Sequence, residues 1–269
     1  MALVRTLAVA LQLGMDAPFL NPHLVTNRRL RFEHSHADVV RACEFLGADE
    51  HASAREIVMG VHERMRILAS AFGIGMPKTL GDIVERAGGN CVSHAVLATV
   101  VLRQQGFSTR LMVEDVYTDA SLLRAPGALL AVPIGPTLNG HVWIETLADD
   151  EWIPADPQLG LYGTEDWIRA RVLRGVSLAA MGVPVRERWR FPLRIRRLGP
   201  DGTPAENVTG LYLIGRVRSV VGRDALPRAW EDGVAHFANV FDWQGRSGLR
   251  LLGERRRLNA MFKAVESLR

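Results

Sequence analysis

Cys91, His141 and Asp156 occur along the chain in that order, each in a local setting that suits covalent catalysis. Cys91 follows Gly88-Gly89-Asn90 and opens a run whose apolar residues Ala95, Val96, Ala98, Val100, Val101 and Leu102 predict a helix buried on most sides, with Gly106 at C′. Gly88 and Gly89 lack a Cβ, so the chain can turn sharply and bring backbone close to a neighbour. Asn90 is a good N-cap, able to accept a free N–H of the first turn. Cys91 becomes the first helical residue, and there the positive end of the helix dipole favours thiolate, the form that attacks carbon.

A thiolate nucleophile needs a base and a group to orient that base. His141 lies in NGHVWIET, whose alternation predicts a strand opening after the turn Asn139-Gly140. Asp156 lies in DDEWIPADPQ, a second short strand after the turn at 148–150, ending at Asp156-Pro157. Adjacent antiparallel strands joined by a tight turn bring residues near their outer ends side by side. The Cys91 backbone N–H and a neighbouring donor are expected to stabilise an oxyanion, with Gly89, Asn90 and Trp143 as near-site residues. Trp143 and Trp152 also read as core or cleft-wall aromatics. Cys43 lacks this setting and is expected in the core. His94, one turn after Cys91, has no second Cys or His couple nearby and is expected to be structural or supporting. Glu33, His34, His36 and Asp38 are read as a solvated loop. No metal or cofactor is expected.

Four segments together resemble the transglutaminase-like superfamily of papain-type cysteine enzymes: Gly89-Asn90-Cys91 with Ala95, the stretch from Leu102 to Arg110, Gly140-His141-Val142-Trp143-Ile144-Glu145, and the stretch from Glu151 to Pro157. The resemblance covers residues 80–162 and implies that Cys91 is the nucleophile, His141 the general base and acid, and Asp156 the orienting carboxylate. Arg86, Gly88, Gly89 and Cys91 are also similar to the Arg-Gly-Gly-x-Cys of arylamine N-acetyltransferases and amide synthases, with one residue inserted. The Glu and Asn that follow the cysteine in those cousins are absent, and Asp156-Pro157 is nearer the transglutaminase form.

The elements that must hold these residues follow from patterning. Helices are expected over 37–46 and 52–72, the second ended by residues 73–77, with a short helix over 80–86 capped by Thr79 with Asp82. A strand over 108–116 precedes a long connection, 117–139, expected to wall the substrate cleft; within it residues 127–134 read as a further strand. Thr164 is expected to cap a helix over 165–175. An arginine-rich strand, 186–197, is read as a solvated sheet face, followed by a strand over 209–221 and helices from residue 226. The sequon at Asn207 is discounted for want of a secretory signal.

The chain has 269 residues, 48% hydrophobic and 23% charged, the composition of a globular protein without repeats or low-complexity tracts. Its two cysteines fit a reducing compartment, and the apolar start is too short for a signal peptide or a span, so a cytoplasmic location is expected, with no membrane contact. A net charge of +4 suits an acidic partner, and no nucleic-acid module accompanies it.

The expected fold is α+β: a papain-like, transglutaminase-like core in which a central helix bearing the cysteine packs on an antiparallel sheet. A helical N-terminal section (1–79) precedes the core (80–175), and an α/β extension (176–269) follows, either separate or part of the same domain. The expected function, implied by the resemblance, is acyl transfer through an acyl-enzyme on Cys91, making an amide when the acceptor is an amine. Natural-product assembly is one setting, and the donor is a small-molecule, peptide or carrier-protein-bound acyl group. Arg186, Arg188, Arg190, Arg194, Arg196 and Arg197 would dock an acidic carrier. The alternatives are hydrolysis of an amide by a peptidase or amidase, with water as acceptor, and a non-catalytic binding module.

Overall fold

The computed structural model describes residues 34–67, 77, 79–123, 136–175, 185–199, 204–240 and 253–269. Its centre is an antiparallel sheet of six strands in the order β6-β5-β4-β3-β7-β8. The strands are β3 (Thr109–Leu123), β4 (Pro136–Ala148), β5 (Glu151–Asp156), β6 (Leu161–Tyr162), β7 (Val185–Leu198) and β8 (Pro204–Asn207). Period-2 alternation splits the buried side chains between two layers. Val113, Val142, Ile144 and Ala155 join the cluster under α1 (His36–Leu46), α2 (Ala54–Arg64), α3 (Leu80–Arg86) and α4 (Cys91–Gln104). Met112, Trp143, Leu193 and Ile195 join the opposite cluster, under α5 (Thr164–Ile168), α6 (Val217–Val221), α7 (Arg228–Val240) and α8 (Arg255–Leu268). The fold is α+β, and β7 and β8, from the C-terminal third of the chain, lie in the same sheet as the strands that carry His141 and Asp156.

The local signals that need only neighbouring residues are met. Ser35, Ser53 and Thr79 each form a capping box, with Asp38, Glu56 and Asp82, at the starts of α1, α2 and α3. Asp38 is thereby engaged in a cap and in an ion pair with Arg41. The hairpin joining β4 to β5 turns at Asp149 (φ 50°) and Asp150 (φ 60°), the paired left-handed residues that match the twist of two-residue hairpins.

Several expectations are corrected. The second helix ends at Arg64, not near residue 72: Met65 is extended, and β1 (Arg66–Ile67) pairs in parallel with β2 (Gly88–Gly89). A partner distant in sequence thus overrides the local helical period. Strand β3 runs on to Leu123 and β4 starts at Pro136, so residues 117–123 and 136–139 of the expected connection are strand and Asn139-Gly140 lies inside one. The strand expected over 127–134 lies outside the described residues. Gly163, not Thr164, precedes α5, and the helix continues as a π-helical stretch, Arg169–Arg174; the Thr164 hydroxyl accepts from Arg216.

Residues 209–221 are helical, with a π-helical stretch at Leu211–Arg216 leading into α6. The Thr209 hydroxyl accepts from the Ile195 N–H at 2.9 Å and donates to Asn207 Oδ1 at 2.6 Å, while the Ile195 carbonyl accepts from the Val208 N–H at 2.9 Å. Those contacts end the ladder beside β7, and Tyr212, Leu213 and Val217 turn into the core.

The described arginines of the basic strand are engaged with carboxylates and do not form a simply solvated face. Arg194 is 9% exposed and donates to Asp115 at 2.7 Å, Arg196 reaches the same carboxylate at 3.3 Å, and Arg197 lies 3.3 Å from Glu145. Arg197 also pairs with Glu206. The docking expectation therefore falls to the side chains of Arg186, Arg188 and Arg190, which lie outside the described residues.

Candidate active site

Cys91 is the first residue of α4, the helix at the middle of its layer. Ten of its residues are buried, including Ala95, Leu97, Ala98, Val101 and Leu102, so the helix is held on nearly every side. At its start the Asn90 side chain accepts from the Ser93 N–H at 3.2 Å. At its end Gly106 takes φ 86° and the Phe107 N–H returns to the Leu102 carbonyl at 2.9 Å, a Schellman closure.

The glycines act differently from the sharp turn expected of them. Ala87 is the left-handed residue (φ 44°, ψ 48°), and Gly88-Gly89 is extended against β1. What Gly89 supplies is space, because a Cβ there would lie 2.2 Å from the Ser93 Cβ. Its missing side chain lets the first turn of α4 pack against the preceding backbone.

His141 and Asp156 come from neighbouring strands. The register pairs Ile144 with Ala155 and Glu145 with Pro154, so Asp156, one residue past the last pair, stands diagonally across from His141. Both are fully buried, and His141 Nε2 donates to Asp156 Oδ2 at 2.6 Å. The other carboxylate oxygen accepts from the Gln158 N–H at 3.2 Å and the Leu159 N–H at 3.3 Å, so the turn after Asp156 fixes its plane. With Nε2 taken, Nδ1 is the imidazole nitrogen left for Cys91.

The electrostatics join the pair. Burial pushes the Cys91 thiol up, but the interaction with His141, the charge of that imidazole and the Val142 backbone N–H outweigh burial and leave it below its ordinary value. Burial pulls His141 down, while the Asp156 charge and hydrogen bond and the contact with Cys91 raise it to about 9. The two shifts favour a thiolate beside an imidazolium, the reactive state of a cysteine nucleophile. Cys91 as a residue is half-buried, while His141 and Asp156 behind it are fully buried.

Cys43 is half-buried against the edge of the α-helical cluster, and burial pushes its thiol up, the opposite of Cys91. Trp143 lies away from the thiol, packed against Trp167 (4.8 Å between ring centroids) and Tyr212 (5.2 Å) in the other layer. Among the described residues there is no group of three His, Cys, Asp or Glu able to hold a metal.

The structure adds residues that the sequence did not single out. His62 of α2 lies 3.1 Å through Nδ1 from the Gln158 carbonyl, with its ring against Gly160, where a Cβ would meet it at 2.7 Å. Glu114, paired with His141 across the ladder, is fully buried with Arg171. Glu145, also fully buried, accepts from Arg110 at 2.6 Å, from Arg197 and from the Tyr212 hydroxyl. One signal was present in the sequence: charged Glu145 shares the alternating face of Trp143, a parity at which an acid must find cations.

Residues 45–157 match the family model of the transglutaminase-like superfamily. This part of the chain is transglutaminase-like. The match spans α2 to β5 and takes in Cys91, His141 and Asp156. No curated protein and no solved structure matches the chain. Members of that superfamily are usually cysteine-dependent enzymes. No helix among the described residues is long and apolar enough to cross a membrane.

Proposed function

We propose that the protein is an acyl-transfer enzyme that works through a thioester on Cys91. The observation that carries this reading is the buried His141–Asp156 bond of 2.6 Å next to a thiol whose pKa the same histidine lowers. The Cys91 thiolate attacks an amide or thioester carbonyl, the carbon–sulfur bond forms, and the carbonyl electron pair moves onto oxygen. The Cys91 backbone N–H faces that charge from the start of α4. When the intermediate collapses, the imidazolium of His141 gives its proton to the leaving amine or thiolate. The now neutral imidazole takes a proton from the incoming amine, which expels the thiolate and forms the new amide; water in the amine's place makes the same cycle a hydrolysis. Asp156 keeps the proton at Nε2 throughout, so Nδ1 does the transfer.

The test is intact-mass analysis after incubation with thioesters, activated esters and peptides, with and without a primary amine. An acyl adduct on Cys91, lost in Cys91→Ala and discharged by the amine as an amide, supports transfer. Discharge by water at the same rate, whatever the amine concentration, assigns hydrolysis. A wild-type thiol that alkylates readily yet accepts no acyl group would refute the reading.

A further inference from the structure

His94 places two hydrogen bonds on one carbonyl. Its backbone N–H reaches the Asn90 oxygen at 3.1 Å, the opening i to i−4 bond of α4, and its imidazole Nδ1 reaches the same oxygen at 2.8 Å. A carbonyl only accepts, so Nδ1 carries the proton and donates, and in the neutral ring Nε2 is then a bare acceptor. Burial holds the ring below its ordinary pKa, against the Asn90 and Asp156 contributions that raise it, so the neutral form is the one present at neutral pH. His94 is 1% exposed, and its buried Nε2 makes no hydrogen bond of normal geometry, although the Met65 backbone also acts on the ring. A buried acceptor without a well-formed hydrogen bond destabilises a fold, and an apolar residue at this buried position would avoid that. A histidine at such a position calls for a reason outside packing.

The reason lies in the peptide unit it grips. The Asn90 carbonyl and the Cys91 N–H belong to one planar amide, and the Cys91 N–H, at the first helical position, has no acceptor within the helix. The Asn90 side chain is occupied elsewhere, by the Ser93 N–H at 3.2 Å and the Ser93 hydroxyl at 3.4 Å. We propose that His94 is a positioning residue of the oxyanion hole: by donating from Nδ1 to the Asn90 carbonyl it fixes and polarises the amide whose N–H meets the charge developing on the substrate oxygen. Hydrogen bonds at the two ends of an amide strengthen one another, so a donor on the carbonyl side makes the N–H a better donor. His62 and Asp156 face the same ring from α2 and β5. This inference rests on Cys91 being the acylated nucleophile.

The experiment compares two reactions of one sulfur. Iodoacetamide is attacked at a saturated carbon: the carbon–sulfur bond forms, iodide leaves, and no oxyanion arises. p-Nitrophenyl acetate is attacked at its carbonyl, the oxygen gains the electron pair, and collapse expels p-nitrophenolate to leave an acetyl thioester. His94→Phe keeps the ring shape and removes the donor, whereas His94→Asn sets a carboxamide N–H where Nδ1 was. In His94→Phe, acylation is expected to fall about tenfold, less than the 10²–10³ lost on deleting an oxyanion donor outright. Alkylation should stay at its wild-type rate, and His94→Asn should acylate near wild type. Equal changes in both reactions, or none in either, would overturn the proposal. Loss of fold in His94→Phe, with the two rates of a folded His94→Asn reduced alike, would make the imidazole structural and overturn it too. Wild-type protein that alkylates but does not acylate refutes the reading of Cys91, and this inference with it. Wild-type protein that acylates, with the ratio of the two rates unchanged in His94→Phe, refutes this inference alone.

Discussion

Replacing Asp156 with Asn removes one charge from the candidate site and almost no volume. In the intact protein burial pulls the His141 imidazolium down, and the Asp156 carboxylate leads the contributions that raise it to about 9. Without that charge burial dominates, and the ring should titrate at or below its ordinary value of 6.5. The change from about 9 to 6.5 corresponds to about 3 kcal/mol of lost preference for the charged ring. Cys91 then loses much of what offsets its own burial, so its thiol should move up. The assay is the rate of iodoacetamide alkylation of Cys91 against pH, followed by intact mass. In wild type the rate should rise on the acid side of an ordinary thiol; in Asp156→Asn the rise should shift to higher pH and the neutral rate should drop. Stability follows the same linkage. A folded-state pKa above the unfolded value gives stability that is fully present below 6.5 and lost as pH rises through about 9. The unfolding free energies of the two proteins should therefore converge as pH rises through that window. Superimposable alkylation profiles would refute the claim that Asp156 holds the imidazolium in place.

Cys91→Ala should stay folded by near-ultraviolet circular dichroism and form no acyl adduct, since a small residue at the helix start disturbs little packing. Gly89→Ala should lower both the melting temperature and the alkylation rate, because its Cβ would lie 2.2 Å from the Ser93 Cβ; adding Ser93→Gly should restore both, and failure of that rescue would place the fault elsewhere. Glu145→Ala leaves Arg110 and Arg197 without their shared buried carboxylate and should destabilise by about 3–5 kcal/mol in denaturant unfolding. Leu97→Ala, at a fully buried position of α4, should lose about 2–5 kcal/mol.

Much of the candidate site was legible because its signals are local. The Asn90 cap, the apolar wrap of α4 and the Gly106 stop each depend on residues within a turn or two, and all three are present as expected. The hairpin at Asp149 and Asp150 is equally local, and with it came the spacing that sets Asp156 across from His141. Local patterning misled where a remote partner had the last word. The helical period of residues 52–72 broke at Met65 because β2 offered ladder bonds to Arg66 and Ile67. The strand-like alternation of residues 209–221 gave way to helix once Val208 and Thr209 had satisfied the Ile195 backbone.

By itself, the sequence determined which residues could do chemistry and the short elements that present them, since caps, turns and periodicity are energetic preferences settled between near neighbours. The tertiary structure alone decided what surrounds them. Arg194 could be read as a surface charge until Asp115, 79 positions away, was found 2.7 Å from it. His94 could be read as packing until its ring was found on the carbonyl behind the Cys91 N–H. The pKa values of Cys91 and His141 belong to the same class, because burial and the approach of charges from separate strands set them, and neither exists until the sheet has closed on the helix.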